Sequence, residues 1–273
     1  MKFSRSAFHA LSCTLYCFVA LPVAGTAGLV TLSNPASITI NDSANPPTLA
    51  APYGSSINVT GLVGQVVSKA TVSLSGFTHQ YPDDVDVLLV GPQGQTAMLM
   101  ANVGGSMPGY SVTNLTLTLD DDAVSPLPLE APLTSGIFKP TKRLPYLMFD
   151  FPTPAPAGSS NAFASLSVFQ AANPNGPWKL YVVDDTSTDS GSISGGWSLS
   201  LTTIPVLLRI TGADDSIIVS WTNTLTGFSL QTSTDLSPGA IWTNALPLPA
   251  LVSGNYTVTN AATGSTRFYR LTK

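Results

Sequence analysis

The feature that most constrains the fold is a succession of short apolar or alternating segments, each closed by a turn rich in Gly, Pro or Asp. Alternation with a period of two is typical of β-strands, and Gly, Pro and Asp favour the turns between them. No stretch shows a sustained helical period bounded by caps. We therefore predict an all-β sandwich or jelly roll, with strands at 56–62, 69–77, 85–91, 96–101, 111–120, 146–151, 164–170, 178–185 and 196–204.

This strand pattern divides the chain at Ile204–Pro205 into two predicted domains. Residues 28–204 make up the larger, jelly-roll domain, in which a Pro-rich insert at 123–145 is expected to form a long ordered connection. Residues 205–273 contain further strand-like segments and have the size of a small immunoglobulin-like or fibronectin-III-like sandwich. The aromatic residues predicted for the core of this second domain are Trp221, Phe228, Trp242 and Tyr269.

The first 27 residues have the pattern of a secretory signal peptide. Lys2 and Arg5 give a basic start, which is followed by an apolar stretch and then by small residues that suit cleavage. Cys13 and Cys17 both lie in this segment, so the mature chain is expected to have no thiol and no disulfide. We predict a secreted, cell-surface or periplasmic protein that does not span the membrane once the signal is removed.

The charge balance argues against nucleic acid as a partner. Charged residues make up 10% of the chain, whereas about 25% is typical of soluble proteins. After residue 27, nine basic residues face 15 acidic ones. Such a chain lacks the positively charged surface that binding to a phosphate backbone requires.

The residues that most enzyme classes need are missing. His79 is the single histidine after residue 27, and no Gly-x-Ser-x-Gly motif marks a serine nucleophile. One histidine does not supply the several His or Cys ligands of a usual zinc site. Glu130 is the only glutamate, and nothing marks a pair of catalytic carboxylates. We predict that the chain is not an enzyme.

Three clusters of aspartates are the remaining candidates for chemistry, and each lies at a predicted strand end beside turn-forming residues. Calcium takes six to eight oxygen ligands, commonly from such loops. The alternative is that these residues only start turns and accept hydrogen bonds from backbone N–H groups. No cluster has the spacing of an EF-hand. The clusters are Asp83, Asp84 and Asp86; Asp120, Asp121 and Asp122; and Asp184, Asp185 and Asp189.

Asp86 differs from the other aspartates because it lies within a predicted buried strand. The alternation of that strand places Asp86 on the same face as Leu88 and Val90. A carboxylate at the edge of an apolar face needs a hydrogen-bond partner, an opposite charge or a metal ion. Asp86 is therefore the first candidate ligand of a calcium ion.

Residues 28–204 contain two separated motifs in a characteristic order. In the first motif, a strand-closing His precedes an Asp, an apolar strand and a Gly-Pro-x-Gly turn. The second motif is a Gly-x-Trp-x-Leu-x-Val-x-Asp segment followed by Gly-x-Ile and a Trp-x-Leu strand. The residues of these motifs are His79, Asp84, Val85 to Val90, Gly91, Pro92 and Gly94, and then Gly176, Trp178, Leu180, Val182, Asp184, Gly191, Ile193, Trp197 and Leu199. On these motifs, residues 28–204 resemble the P domain, or homo B domain, of the subtilisin-like proprotein convertases.

This resemblance implies an eight-stranded jelly roll that normally stabilises an adjoining protease without taking part in catalysis. The remaining residues leave no room for a subtilisin-type catalytic domain, and the Pro-rich insert is longer than the convertase pattern needs. The chain therefore resembles the stand-alone P-like modules of secreted bacterial proteins, some of which carry calcium. The partner that it stabilises stays open.

Three functions are compatible with these observations. The leading hypothesis is a secreted, non-catalytic module for binding, adhesion or stabilisation of an extracellular protein or polysaccharide. The second is a calcium-assisted carbohydrate-binding module, in which Tyr81, Tyr110 or Trp178 would stack on sugar rings. The third is a hydrolase that uses scattered aspartates, or an accessory part of a secreted serine protease system.

Overall fold

The computed structural model describes residues 28–143, 150–213, 215–222, 228–262 and 266–272. These residues confirm the prediction of an all-β chain, because they form 20 strands and only three short 3-10 helices. The 3-10 helices are Pro82–Asp84, Ser159–Asn161 and Leu166–Phe169. The predicted signal peptide at 1–27 lies outside the described residues. Within them, no helix is long and apolar enough to cross a membrane.

The first thirteen strands form two sheets. The seven-stranded sheet has the order β1-β13-β5-β12-β2, and β8 and β9 extend it from β5; the six-stranded sheet has the order β10-β7-β6-β11-β3, and β4 also pairs with β11. The strands are β1 (Gly28–Asn34), β2 (Ile38–Ile40), β3 (Thr48–Leu49), β4 (Ser55–Val59), β5 (Gln65–His79), β6 (Val85–Val90), β7 (Thr96–Ala101), β8 (Val112–Leu119), β9 (Gly136–Phe138), β10 (Thr141–Lys142), β11 (Gly176–Asp184), β12 (Gly191–Ile193) and β13 (Trp197–Pro205).

Strand β6 lies at the centre of the six-stranded sheet and is buried on both faces, as its nearly unbroken apolar sequence predicts. Val85, Val87 and Leu89 pack in the main core, which both sheets share. Leu88 and Val90 pack in a second apolar cluster on the opposite face, which the segment 151–162 helps to cover. Because both faces are covered, every side chain of β6 is removed from solvent.

The described part of the Pro-rich insert, residues 123–143, is more regular than the predicted connection. It contains β9 and β10, which pair in parallel with β8 and β7 and so extend both sheets. Leu127 and Leu133 of the insert are buried in the main core. Parallel pairing of such short strands has no local sequence signature, because it depends on where the chain returns to the sheet.

The strand predicted at 164–170 is wrong, because Leu166–Phe169 is a 3-10 helix. The Ser165 side chain accepts a hydrogen bond from the Ser167 N–H at 3.1 Å. Asp121 accepts from the N–H groups of Leu166 and Ser167, at 3.0 and 2.8 Å. These caps satisfy the first N–H groups of a helical turn and override the alternating pattern. The predicted strand at 146–151 falls mostly outside the described residues.

The last seven strands form a four-stranded sheet, β14-β15-β19-β18, and a three-stranded sheet, β17-β16-β20. Their shared core contains Trp221, with Phe228 and Tyr269 packed against it, as predicted. Trp242 is instead half-buried and stacks against the guanidinium of Arg270, 4.3 Å from the ring centre. The strands are β14 (Arg209–Ala213), β15 (Ser216–Thr222), β16 (Ser229–Ser233), β17 (Thr243–Asn244), β18 (Ala250–Val252), β19 (Asn255–Ala261) and β20 (Phe268–Thr272).

Candidate cation-binding site

Two aspartate clusters that are far apart in sequence meet at one end of the six-stranded sheet. Strands β6 and β11 are antiparallel neighbours, with Val85 opposite Asp184 and Asp86 opposite Val183. The start of β6 therefore lies beside the end of β11, and the Asp185 N–H donates to the carbonyl of Asp84 at 2.8 Å. We call this region the acidic end; its carboxylates are Asp83, Asp84, Asp86, Asp184, Asp185 and Asp189.

His79 is buried at the acidic end, where β5 finishes. Its Nδ1 lies 2.9 Å from the carbonyl oxygen of Tyr81, to which it donates when it carries a proton, and 3.2 Å from the Tyr81 N–H, from which it accepts when it does not. Its Nε2 lies 3.0 Å from Asp184 Oδ2 and 3.4 Å from Asp189 Oδ1. Burial alone would lower the pKa of His79, but the hydrogen bond and charge of Asp184, with a smaller contribution from Asp189, raise that pKa above its usual value.

Gly191 on β12 allows the close approach that encloses His79. Its backbone lies opposite His79 in the β12–β5 pairing. A Cβ atom at Gly191 would come within 2.1 Å of the Thr78 carbonyl oxygen and 2.5 Å of His79 Cδ2. The glycine of the second motif is therefore required by close packing at the acidic end.

Asp84 and Asp185 are held close to other carboxylates. Burial and the charges of Asp189, Asp185 and Asp184 raise the pKa of Asp84 to about 7. Burial is also the main cause that raises the pKa of Asp185 to about 6, although the Thr186 hydroxyl donates to its Oδ1 at 3.2 Å. Both carboxylates are therefore costly to ionise without a nearby cation.

Asp86 is the most deeply buried of the candidate calcium ligands on β6 and its preceding turn, with 1% of its surface exposed. Within the described part of the chain, its Oδ1 has no hydrogen-bond partner. Burial, followed by the charge of Asp185, raises its pKa well above the usual value, and a hydrogen bond from the backbone of Asn102 and the charge of Lys142 only partly oppose this. The side-chain Nδ2 of Asn102 is also buried without a partner among the described residues.

Asp83 lies next to this carboxylate, in the 3-10 turn before β6. Its Oδ1 is buried, and no hydrogen bond reaches it from the residues that the structure describes. Burial raises the pKa of Asp83, Arg143 opposes the rise, and Glu130 adds to it. Arg143 is itself paired with Glu130, so its charge is shared between two carboxylates.

The predicted cluster at 120–122 does not belong to the acidic end, and its carboxylates have protein partners. Lys69 forms ion pairs with Asp120 at 2.9 Å and with Asp122 at 2.6 Å. Asp121 accepts two backbone N–H groups and the Ser165 hydroxyl, as described above for the 3-10 helix. These three carboxylates stabilise turns, which is the alternative that the sequence left open for them.

The other residues of the two sequence motifs lie at turns or in the packed core. Gly91 and Gly94 form the turn after β6, where Gly94 has a φ of +84°, and a Cβ atom at Gly176 would come within 2.7 Å of Pro92. Trp197 is buried, and its Nε1–H donates to Ser55 at 3.0 Å.

Trp178 does not act as a sugar-stacking residue, which corrects one sequence-based expectation. It has no exposed surface, its ring packs edge-on against Phe169 at 4.8 Å, and its Nε1–H donates to the carbonyl of Pro174. The strand alternation directs it into the main core. Tyr81 and Tyr110 are half-buried and keep part of their surface exposed.

Sequence reasoning missed Asn102, Lys142 and Thr186, which contact or face the aspartates. Asn102 has a φ of 52°, a left-handed conformation that asparagine tolerates better than most residues. Lys142 comes from the Pro-rich insert and donates to the carbonyl of Ser160. Only the Asp-Asp-Thr order at 184–186 offered a local signal, since Thr often closes an aspartate turn.

Comparisons with known proteins do not identify a function for this site. No family model matches this chain, and no curated protein is significantly similar to it. Among solved structures, it is similar to the crystal structure of the serine protease of Aeromonas sobria, with 12% sequence identity and a TM-score of 0.21. That match covers 92% of this chain, which spans 27% of the protease's length. A TM-score this low carries no argument about activity.

Proposed function

We propose that this protein is a secreted, non-catalytic binding module, similar to convertase P domains, whose acidic end is stabilised by a calcium ion. The observation that carries the proposal is the buried, unpartnered Oδ1 of Asp86 beside the carboxylates of Asp83 and Asp185. An ionised carboxylate in such surroundings is destabilising unless a cation compensates it. Its partner outside the cell would be another protein or a polysaccharide.

The chemistry of the donors favours calcium as this ion. Asp83, Asp86 and Asp185 offer only oxygen ligands, which hard cations prefer. Lys142 and Arg143 are the basic groups whose charges act on Asp86 and Asp83, and both also have other partners. A divalent ion supplies the missing positive charge, and backbone carbonyls and water would complete its usual six to eight ligands.

The surroundings of His79 support a non-catalytic role. A catalytic triad needs one imidazole nitrogen on the carboxylate and the other on the nucleophile. Here Nε2 faces Asp184 and Asp189, while Nδ1 faces the backbone of Tyr81. Both nitrogens are occupied, which leaves neither for a serine hydroxyl.

A calcium titration followed by thermal unfolding tests the proposal. We expect the midpoint to rise by about 5–10 °C when free calcium exceeds its Kd a hundredfold, because only the folded state binds the ion. Asp86→Asn should abolish most of this rise. Asp122→Asn is the matched control, since Asp122 is exposed and paired with Lys69. A midpoint that calcium and a chelator leave unchanged would contradict the proposal.

Carbohydrate binding remains the second candidate because Tyr81 lies at the rim of the acidic end. Its backbone contacts His79, and its ring keeps exposed surface on which a sugar could stack. A glycan array with and without calcium checks this candidate, and Tyr81→Ala provides the control. Binding that needs both calcium and Tyr81 would favour a polysaccharide as the partner. Absence of binding under both conditions would favour a protein.

A further inference from the structure

We propose a second metal site at the acidic end, in which His79, Asp184 and Asp189 bind a transition-metal ion of the zinc class. This site goes beyond the proposed calcium site because it uses different ligands. Its three ligand atoms are His79 Nε2, Asp184 Oδ2 and Asp189 Oδ1, which all lie within 4.8 Å of one another. Among the described residues, no other set of three such groups is gathered so closely.

The distances already fit a small ion. Two ligands on a tetrahedral ion with bonds of about 2.0 Å lie roughly 3.3 Å apart. The separation from His79 Nε2 is 3.0 Å to the oxygen of Asp184 and 3.4 Å to that of Asp189. Small adjustments of the side chains would therefore place one ion between all three atoms.

Neighbouring backbone groups hold two of the ligands in the required orientation. His79 Nδ1 lies 2.9 Å from the carbonyl oxygen of Tyr81 and 3.2 Å from its backbone nitrogen, so the Tyr81 backbone holds the ring with Nε2 directed at the two carboxylates. The Thr186 N–H donates to Oδ1 of Asp184 at 3.1 Å, which leaves Oδ2 directed at His79. Hydrogen bonds of this kind fix ligand orientation in metal sites generally.

The Oδ1 of Asp189 supplies the second, independent observation. Asp189 is 94% buried, since only 6% of its surface is exposed, and its Oδ1 has no hydrogen-bond partner among the described residues. A proton on His79 Nε2 is directed at a single acceptor, and Asp184 is the closer one. A metal ion satisfies both carboxylates at once, whereas an imidazolium leaves Asp189 without a hydrogen bond.

The donor set favours a zinc-class ion over calcium at this position. Imidazole nitrogen suits zinc, cobalt and related ions, whereas calcium prefers oxygen ligands alone. Zinc is not restricted to His and Cys ligands, because carboxylates of Asp also bind it. The bound ion would link the end of β5 to the end of β11 and to the following loop, which contains Asp189.

Cobalt(II) provides a direct test, because its visible absorption reports nitrogen and oxygen ligation in a tetrahedral site. The full chain would be purified without a His tag and with Cys13→Ser and Cys17→Ser, so that no added imidazole or thiol competes. We expect one cobalt per chain with visible bands, displacement by zinc, and no displacement by millimolar calcium. A chain that gives no bands and binds no zinc in calorimetry would overturn the proposal.

Two variants separate this site from the calcium site. Asp189→Asn, in the loop between β11 and β12, should lower the affinity for cobalt at least tenfold, whereas Asp86→Asn should retain it. Circular dichroism identifies the fraction of each variant that is folded. If Asp189→Asn does not fold, the nitrogen NMR signals of His79 in the parent chain test whether zinc binds this residue. A shift of the Nε2 signal on zinc addition at pH 7.5 to the range of a metal-bound imidazole nitrogen supports the site, and a signal that zinc leaves unchanged contradicts it.

Discussion

The two acidic regions of this protein differ in how their carboxylates are compensated. In the cluster at 120–122, Lys69 and backbone N–H groups bind the carboxylate oxygens. At the acidic end, carboxylates are buried against one another, and the pKa values of Asp84, Asp86 and Asp185 are raised. Aspartates with similar spacing at strand ends therefore differ in whether protein groups compensate their charge. The residues that surround each cluster determine this difference.

The largest effect is expected when the packing of the acidic end is disrupted by Gly191→Ala. The added methyl would collide with the Thr78 carbonyl and with His79, so we expect a loss of about 3 kcal/mol or more in the free energy of unfolding. Urea unfolding measures this change. Gly212→Ala is the control, because a Cβ atom there meets nothing within 4 Å. Equal stability of the two variants would show that the close approach at Gly191 is not required.

The two regions should also respond to pH in opposite directions. With chelator present, the folded pKa values of Asp84 (about 7) and Asp185 (about 6) lie above their unfolded values. The folded state then binds more protons, so stability falls as pH rises from 5 to 8. The raised pKa of His79 acts in the same direction, because its contribution is present below pH about 6.5 and is lost as pH rises through the folded pKa.

Asp122 behaves in the opposite way, because its hydrogen bond and ion pair with Lys69 lower its pKa. Its contribution is present above its unfolded pKa and is lost as pH falls through the folded value. Thermal midpoints measured between pH 3 and 8, with chelator and with calcium, check both signs. Calcium should flatten the decline between pH 5 and 8. A midpoint in chelator that rises over this range would be inconsistent with the assigned shifts.

A smaller effect is expected from Asp121→Ala, which removes the cap of the 3-10 helix. The N–H groups of Leu166 and Ser167 would lose their carboxylate acceptor, at a cost of about 1 kcal/mol. Chemical denaturation measures the loss. The calcium-dependent rise in the thermal midpoint should stay intact. A reduced calcium response would indicate that the two acidic regions are not independent.

The smallest effect is expected from Lys69→Met, which removes two partly exposed salt bridges, to Asp120 and to Asp122. Such pairs contribute at most about 1 kcal/mol and are screened by salt. Denaturation at low and high ionic strength should therefore show a small difference that shrinks as salt is added. A large, salt-independent loss would show that Lys69 has a packing role beyond its charge.

The sequence predicted the parts of the fold that depend on local pattern. The alternation of β6 correctly predicted its burial, and with it the burial of Asp86. The 3-10 helix at Leu166–Phe169 was missed because its caps come partly from Asp121, which is distant in the chain. The parallel pairing of β9 and β10 was missed for the same reason, since it depends on tertiary contacts.

The candidate site was predicted less completely than the fold. Its aspartates were recognised by type and by their place at strand ends, but their meeting required the pairing of β6 with β11. The division into two ligand sets was not predictable either, because only the structure places Asp189 beside His79 and Asp185 beside Asp86. Trp178 was one of three residues proposed to stack on sugar rings in the carbohydrate hypothesis, but it is fully buried in the core.

The most direct test of the central claim compares the thermal midpoints of the parent protein and Asp86→Asn, each in chelator and in saturating calcium. If the buried carboxylate is a calcium ligand, the neutral variant should be at least as stable as the parent in chelator, because it removes an uncompensated charge. In calcium the order should reverse, with the parent higher by several degrees, because the bound ion compensates the Asp86 carboxylate, which is otherwise costly to ionise. The same order in both conditions would contradict the account.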